Sequence, residues 1–99
     1  MEVARVQQYR NRLKIISDVL LVALNSGDQG GASPSHLMRR SNLSYKGLDQ
    51  LLSQLLSAGL LLKREEDKGV KYFLSARGSE YLAHYRQFET FAESFGLHL

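Results

Sequence analysis

Between positions 44 and 54 the chain reads SYKGLDQLLSQ. Lys46, Gln50 and Gln54 stand four apart, with Ser44 and Tyr45 just before them, and a four-residue step returns to the same side of an α-helix. The Lys46 ammonium and the Gln50 carboxamide can bond flat base edges, Gln to adenine and Lys to guanine, the Ser44 and Tyr45 hydroxyls suit phosphate oxygens, and Gln54 lies on the same DNA-binding face. The bland reading of the same residues is a solvated helix face, with Asp49 paired to Lys46. Arg39 and Arg40, just upstream, suit either a phosphate contact or the negative end of a helix dipole, an effect of about 0.3–1 kcal/mol. Downstream, Lys63, Arg64, Lys68 and Lys71 are interrupted by Glu65, Glu66 and Asp67. Lys68 and Lys71 are the candidates there for peripheral phosphate contact, with a solvated turn as the alternative. Arg10, Arg12 and Lys14 form a third basic cluster, suited to backbone contact or to solubility.

Other chemistry has little to work with. The 99 residues include no cysteine, which removes disulfides, thiolate metal sites and cysteine nucleophiles together. His36, His84 and His98 fall on different segments, and no two have an i, i+4 spacing. The glycines of GDQGGAS follow a helical segment and lack the Lys-Ser/Thr of a phosphate loop. No catalytic residue, metal or cofactor is expected. The longest uninterrupted apolar run, residues 19–24, is far short of the roughly 20 residues that span a bilayer. With no apolar leader at the start either, a soluble cytoplasmic protein is expected. Net charge is +3, unevenly spread: residues 1–79 carry 12 Lys/Arg against 7 Asp/Glu, and residues 80–99 carry one Arg against three Glu. A basic body with an acidic tail suggests different partners for the two parts, a polyanion for the body.

The elements that must position these residues follow from periodicity. Leu13, Ile16, Leu20 and Leu24 trace one face of a helix over residues 12–24, closed by Asn25-Ser26-Gly27, with a fainter extension back through Val3, Val6 and Tyr9 where polar residues dominate. Ser33-Pro34 is an N-cap followed by proline at the first helical position, opening a short helix over 34–40. Ser44 caps a third helix, 45–58, whose Leu48, Leu51, Leu52, Leu55 and Leu56 form a wide apolar stripe ended by Gly59. A short helix, a turn and a longer helix make a helix-turn-helix. Residues 60–64 and 70–74 then read as two strands joined by EEDKG. Ser75 caps a last helix running to about Phe95 and ended by Gly96. The fold class is mainly α with a small β-hairpin, a winged helix-turn-helix plus a long C-terminal helix, divided into residues 1–75 and 76–99.

In that last helix Gly78, Tyr81, Tyr85, Phe88, Ala92 and Phe95 alternate spacings of three and four, and Leu82 and Phe91 widen the stripe. Such a 3.5-residue seam packs on another helix. Tyr81, Tyr85, Phe88, Phe91, Ala92 and Phe95 are therefore the expected homodimer contacts, with folding back on the first helix as the alternative.

The run from Ser35 to Leu82 resembles small archaeal winged-helix DNA-binding proteins of chromatin and transcriptional-regulator type. The resemblance covers about residues 13–91. It is carried by the turn Asn42-Leu43-Ser44-Tyr45, the Leu-rich helix ending at Gly59-Leu60, and the Tyr72-Phe73-Leu74-Ser75-x-x-Gly78 passage. It implies a homodimeric transcriptional regulator of the nucleoid that binds double-stranded DNA. Helix 45–58 would lie in the major groove, with hairpin 60–74 as wing. A weaker basic excess and an aromatic tail set the chain apart from DNA-compacting members. Two alternatives remain open at this point, a winged-helix protein-interaction module and a non-specific chromatin protein.

Overall fold

The computed structural model describes residues 2–26 and 31–97, with side chains from Arg12 onward. The elements are α1 (Glu2–Asn25), α2 (Pro34–Ser41), α3 (Tyr45–Ser57), β1 (Leu61–Glu66), β2 (Gly69–Leu74) and α4 (Ala76–Glu93). Helix α1 starts at Glu2 and so takes in the fainter extension through Val3, Val6 and Tyr9 as well as residues 12–24. The expected exit at Gly27 lies outside the described residues.

Three serines start three helices. Ser33, Ser44 and Ser75 have extended backbones, and their hydroxyls accept from the N–H groups of His36, Gly47 and Gly78. Each satisfies a donor that the first helical turn leaves free. Three left-handed residues end them: Asn42 (φ 58°), Gly59 (φ 78°) and Gly96 (φ 81°). At Gly59 the N–H of Leu60 reaches the Leu55 carbonyl at 2.9 Å, and at Gly96 the N–H of Leu97 reaches that of Ala92 at 3.0 Å. Both are six-to-one closures, which stop a helix and turn the chain sharply.

The core is a single cluster at the junction of the elements. Val19 and Leu20 from α1, Leu37 from α2, Leu48 from α3 and Leu61 from β1 are fully buried. Leu51, Leu52, Leu55 and Tyr72 complete it, and Tyr81 and Leu82 at the start of α4 pack against it. Burying each such side chain contributes roughly 1.5–3 kcal/mol.

The strands pair antiparallel from Leu61 opposite Leu74 to Glu66 opposite Gly69. Pairing thus runs two residues further than expected on β1, and the connection shrinks from EEDKG to Asp67-Lys68, followed by Gly69 at φ 129°. A third chain segment joins the sheet. Ala32 exchanges both backbone hydrogen bonds with Tyr72, at 2.9 and 2.8 Å. Gly31 beside it has φ 63°, and a Cβ there would lie 2.8 Å from the Tyr72 carbonyl oxygen and 2.9 Å from the Phe73 ring. Glycine is required at this crossing.

Candidate nucleic-acid interface

Helix α3 divides into two faces. Leu48, Leu51, Leu52 and Leu55 are buried, whereas Ser44, Tyr45, Lys46, Gln50 and Gln54 are all exposed, Tyr45 at 71%. The apolar stripe fixes the rotation of the helix, and the polar residues are left facing outward. No ion pair joins Lys46 to Asp49 among the described residues, so the Lys46 ammonium stays available.

The turn before α3 is rigid at both ends. Asn42 closes α2 through its N–H to the Met38 carbonyl at 3.0 Å, and the Ser44 hydroxyl accepts from Gly47 N–H at 3.0 Å. Arg39 and Arg40 occupy the last turn of α2 and are exposed. They therefore flank the α3 N-terminus, where cations both oppose the α2 dipole and extend the basic surface.

Gln54 stands apart from the other candidates on this face. Its side-chain oxygen accepts a hydrogen bond from the guanidinium of Arg12 on α1, forty-two positions away. Sequence spacing carries no signal of this contact, because it depends on how two helices distant in sequence are placed in the fold. Lys14, also on α1, pairs instead with Asp18 at 3.5 Å.

On the hairpin, Lys68 stands exposed in the two-residue tip, and Lys71 sits directly opposite Arg64. Arg64 is engaged elsewhere: its guanidinium lies 4.5 Å from the Phe73 ring centroid and 3.8 Å from the Glu66 carboxylate. Lys63, Lys68 and Lys71 are the wing cations without an ion pair among the described residues, and Lys68 and Lys71 are the two expected to reach phosphate.

The seam along α4 splits. At its near end Gly78 is buried so tightly that a Cβ would collide with the Leu60 carbonyl oxygen and the Leu74 side chain. Tyr81 donates to the Leu13 carbonyl at 3.4 Å and stacks on Tyr85, with ring centroids 6.2 Å apart. Burial, and secondarily the neighbouring Tyr85, pushes the Tyr81 hydroxyl pKa above its ordinary value. At the far end Phe88, Phe91 and Phe95 are exposed at 49, 62 and 68%, although Ala92 between them is buried. Phe91 and Phe95 meet edge to face at 5.1 Å. The near half of α4 thus packs on its own body, and the far half together with Phe95 just past its end offers three unburied rings.

Among the described residues, no three His, Asp or Glu side chains gather as a metal site, and no helix is long and apolar enough to cross a membrane.

Comparison with known proteins agrees with this geometry. A search of curated proteins finds no match. Among solved structures, the chain resembles Sso10a-2, a DNA-binding protein from Sulfolobus solfataricus, with TM-score 0.68 and 19% identity over 84% of this chain and 82% of that one. It also resembles Bordetella bronchiseptica BpsR, described with regulation of its DNA binding by 6-hydroxynicotinic acid. There the TM-score is 0.60 and the identity 18%, over 94% of this chain and 73% of that one. A MarR family transcription regulator, SP03579, gives TM-score 0.56 and 18% identity over 86% of this chain and 63% of its own. At such identities the likeness concerns the fold. The family profile described as winged helix-turn-helix, however, matches residues 9–93, and the chain therefore belongs to the winged helix-turn-helix family.

Proposed function

We propose that this protein binds double-stranded DNA as a homodimeric transcriptional regulator in the nucleoid of the cytoplasm. The observation that carries the reading is the outward face of α3. Its Ser44, Tyr45, Lys46 and Gln50 are exposed while the opposite stripe is buried, and Arg39 and Arg40 flank its start. In this reading α3 enters the major groove, where Lys46 and Gln50 bond base edges. Arg39, Arg40, Lys68 and Lys71 fix register on phosphates. Similarity in fold to the Sulfolobus DNA-binding protein, to the MarR family transcription regulator and to BpsR, whose DNA binding is regulated by 6-hydroxynicotinic acid, supports the same reading.

The homodimer rests on the far half of α4. Three exposed phenylalanines on one helix end are costly in water, and burying them would contribute roughly 1.5–3 kcal/mol per side chain. Leu24 of α1 is exposed too, but it lines a separate groove of about 630 Å³ between α1 and α4, with Leu21 and Leu82. Two copies related by a twofold axis would present two α3 helices to one duplex.

A duplex titration at two salt concentrations tests the reading. Four cations per protomer on phosphate make about eight per dimer, so log affinity should fall against log salt with a slope near −7. Affinity that is absent, or indifferent to salt, rejects it. A protein-interaction module is the second reading, favoured by the mixed charge of the wing tip, where Glu65, Glu66 and Asp67 adjoin Lys68. Co-purification of a protein partner without retention on a DNA column would support it instead.

A further inference from the structure

We infer that Arg12, held by Gln54, forms a phosphate-binding subsite on α1 at the far wall of the groove, and that Gln54 positions this arginine instead of reading a base. The inference rests on the duplex-binding reading above and adds to it a contact from outside the helix-turn-helix.

Three observations lead there. The first is length along the axis. Gln54 lies nine positions beyond Tyr45, the first residue of α3, a distance of roughly 14 Å at 1.5 Å per residue. The major groove is about 12 Å wide. With the α3 N-terminus inserted, Lys46 and Gln50 fall within that span, whereas Gln54 falls beside the sugar-phosphate wall. The second is bond capacity. An adenine edge takes both halves of a carboxamide, its oxygen and its NH2. In Gln54 the oxygen is already used by Arg12, so only the donor half remains and the two-bond pattern is lost.

The third is the arginine itself. A guanidinium has five N–H donors in a planar fork. One terminal nitrogen is directed to Gln54, and the remaining donors have no acceptor among the described residues. Arg12 is exposed and is paired with no carboxylate there, whereas Lys14, two residues on, is tied to Asp18. A neutral partner orients the fork without neutralising its charge, which leaves a positioned cation for an anionic oxygen. Gln54 is the positioning residue and Arg12 the phosphate ligand.

The test is a titration of the full-length protein against fluorescein-labelled duplexes of about thirty base pairs, enough for two half-sites, at several salt concentrations. Arg12→Ala should weaken every duplex alike, by about tenfold, the scale of a lost charge-assisted hydrogen bond. It should also reduce the salt slope by about 0.9 per protomer. Gln54→Ala should weaken binding severalfold without altering preference among sequences, and should add no further loss to Arg12→Ala. Arg12→Lys should restore the slope, because the charge returns, but leave affinity indifferent to Gln54, because the fork is gone. The pair is exposed, so the thermal midpoint should stay within a few degrees in all variants. An unchanged slope in Arg12→Ala overturns the inference while leaving duplex binding intact. So does a Gln54→Ala variant whose preference among sequences shifts, because that is the behaviour of a base reader. A midpoint that falls in parallel for both variants with slope unmoved assigns the bond a purely structural role. Failure of the unaltered protein to bind any duplex is a separate result and overturns the parent reading together with its subsite.

Discussion

Lys46 and Gln50 project from a helix whose rotation is fixed by four buried leucines, so their removal should cost recognition while leaving the fold intact. Replacing both with alanine should flatten preference among duplexes with little change in the thermal midpoint, which selection from a random DNA pool and a melting curve together check. Replacing Arg39 and Arg40 should weaken all duplexes by a common factor. Gly78 is the opposite case, a position with no chemistry and no space. Its Cβ would strike the Leu60 carbonyl and Leu74, so Gly78→Ala should destabilise by about 1–3 kcal/mol in a denaturant titration. Tyr81 adds a pH dependence. Its folded pKa is raised by burial, so the neutral hydroxyl is favoured in the fold. That contribution is fully present below the unfolded pKa, near 10, and is lost as pH rises through the folded value. Tyr81→Phe should therefore retain stability better than the unaltered protein above about pH 10 in unfolding measured against pH. At this scale the serine caps were legible because each depends on neighbours three residues away. The Arg12–Gln54 bond was not, since a contact between distant segments leaves no local pattern.

Helices and strands were legible to the extent that their signals are periodic or chemical. Ser33-Pro34, Ser44 and Ser75 marked three starts, and Gly59 and Gly96 two ends. The start of α1 was legible only faintly, through Val3, Val6 and Tyr9, because its early residues are mostly polar, and the Ala32–Tyr72 bridge was missed because one residue has no period. The hairpin turn came out too long on EEDKG, since acidic residues that resemble a loop continue the pairing as far as Glu66. Charge has little effect on the backbone ladder of an exposed strand. Ser75 carries the clearest prediction for an element. Its hydroxyl accepts from Gly78 N–H at 3.0 Å and donates to the Gly59 carbonyl at 2.5 Å. Ser75→Ala should therefore cost more than the roughly 1 kcal/mol of an ordinary cap, whereas Ser44→Ala, with its one bond to Gly47, should cost about that amount. Chemical denaturation of both variants makes the comparison.

For the molecule as a whole, the 3.5-residue seam gave a helix that packs on something but left open on what. The near half turned inward because Gly78 allows α4 to approach the sheet, a fact of packing that spacing alone does not reveal. The exposed far half yields the last prediction. Replacing Phe88, Phe91 and Phe95 with serine should leave α1 to β2 folded, convert the protein to a monomer in sedimentation, and halve the salt slope of duplex binding. The joint between α3 and α4 then matters in a way that no single contact shows. Ser75 bonds to Gly59 and Leu60, and Gly78 presses on Leu60, so the end of α3 and the base of α4 have almost no hinge between them. An 18-residue α4 is a lever of roughly 27 Å. A tilt of about 10° at its base would sweep its tip by roughly 5 Å, more than one base-pair step of 3.4 Å. For a twinned molecule gripping at the lever tips, the stiffness of that short elbow would decide how far apart two target sequences can stand and still be held together.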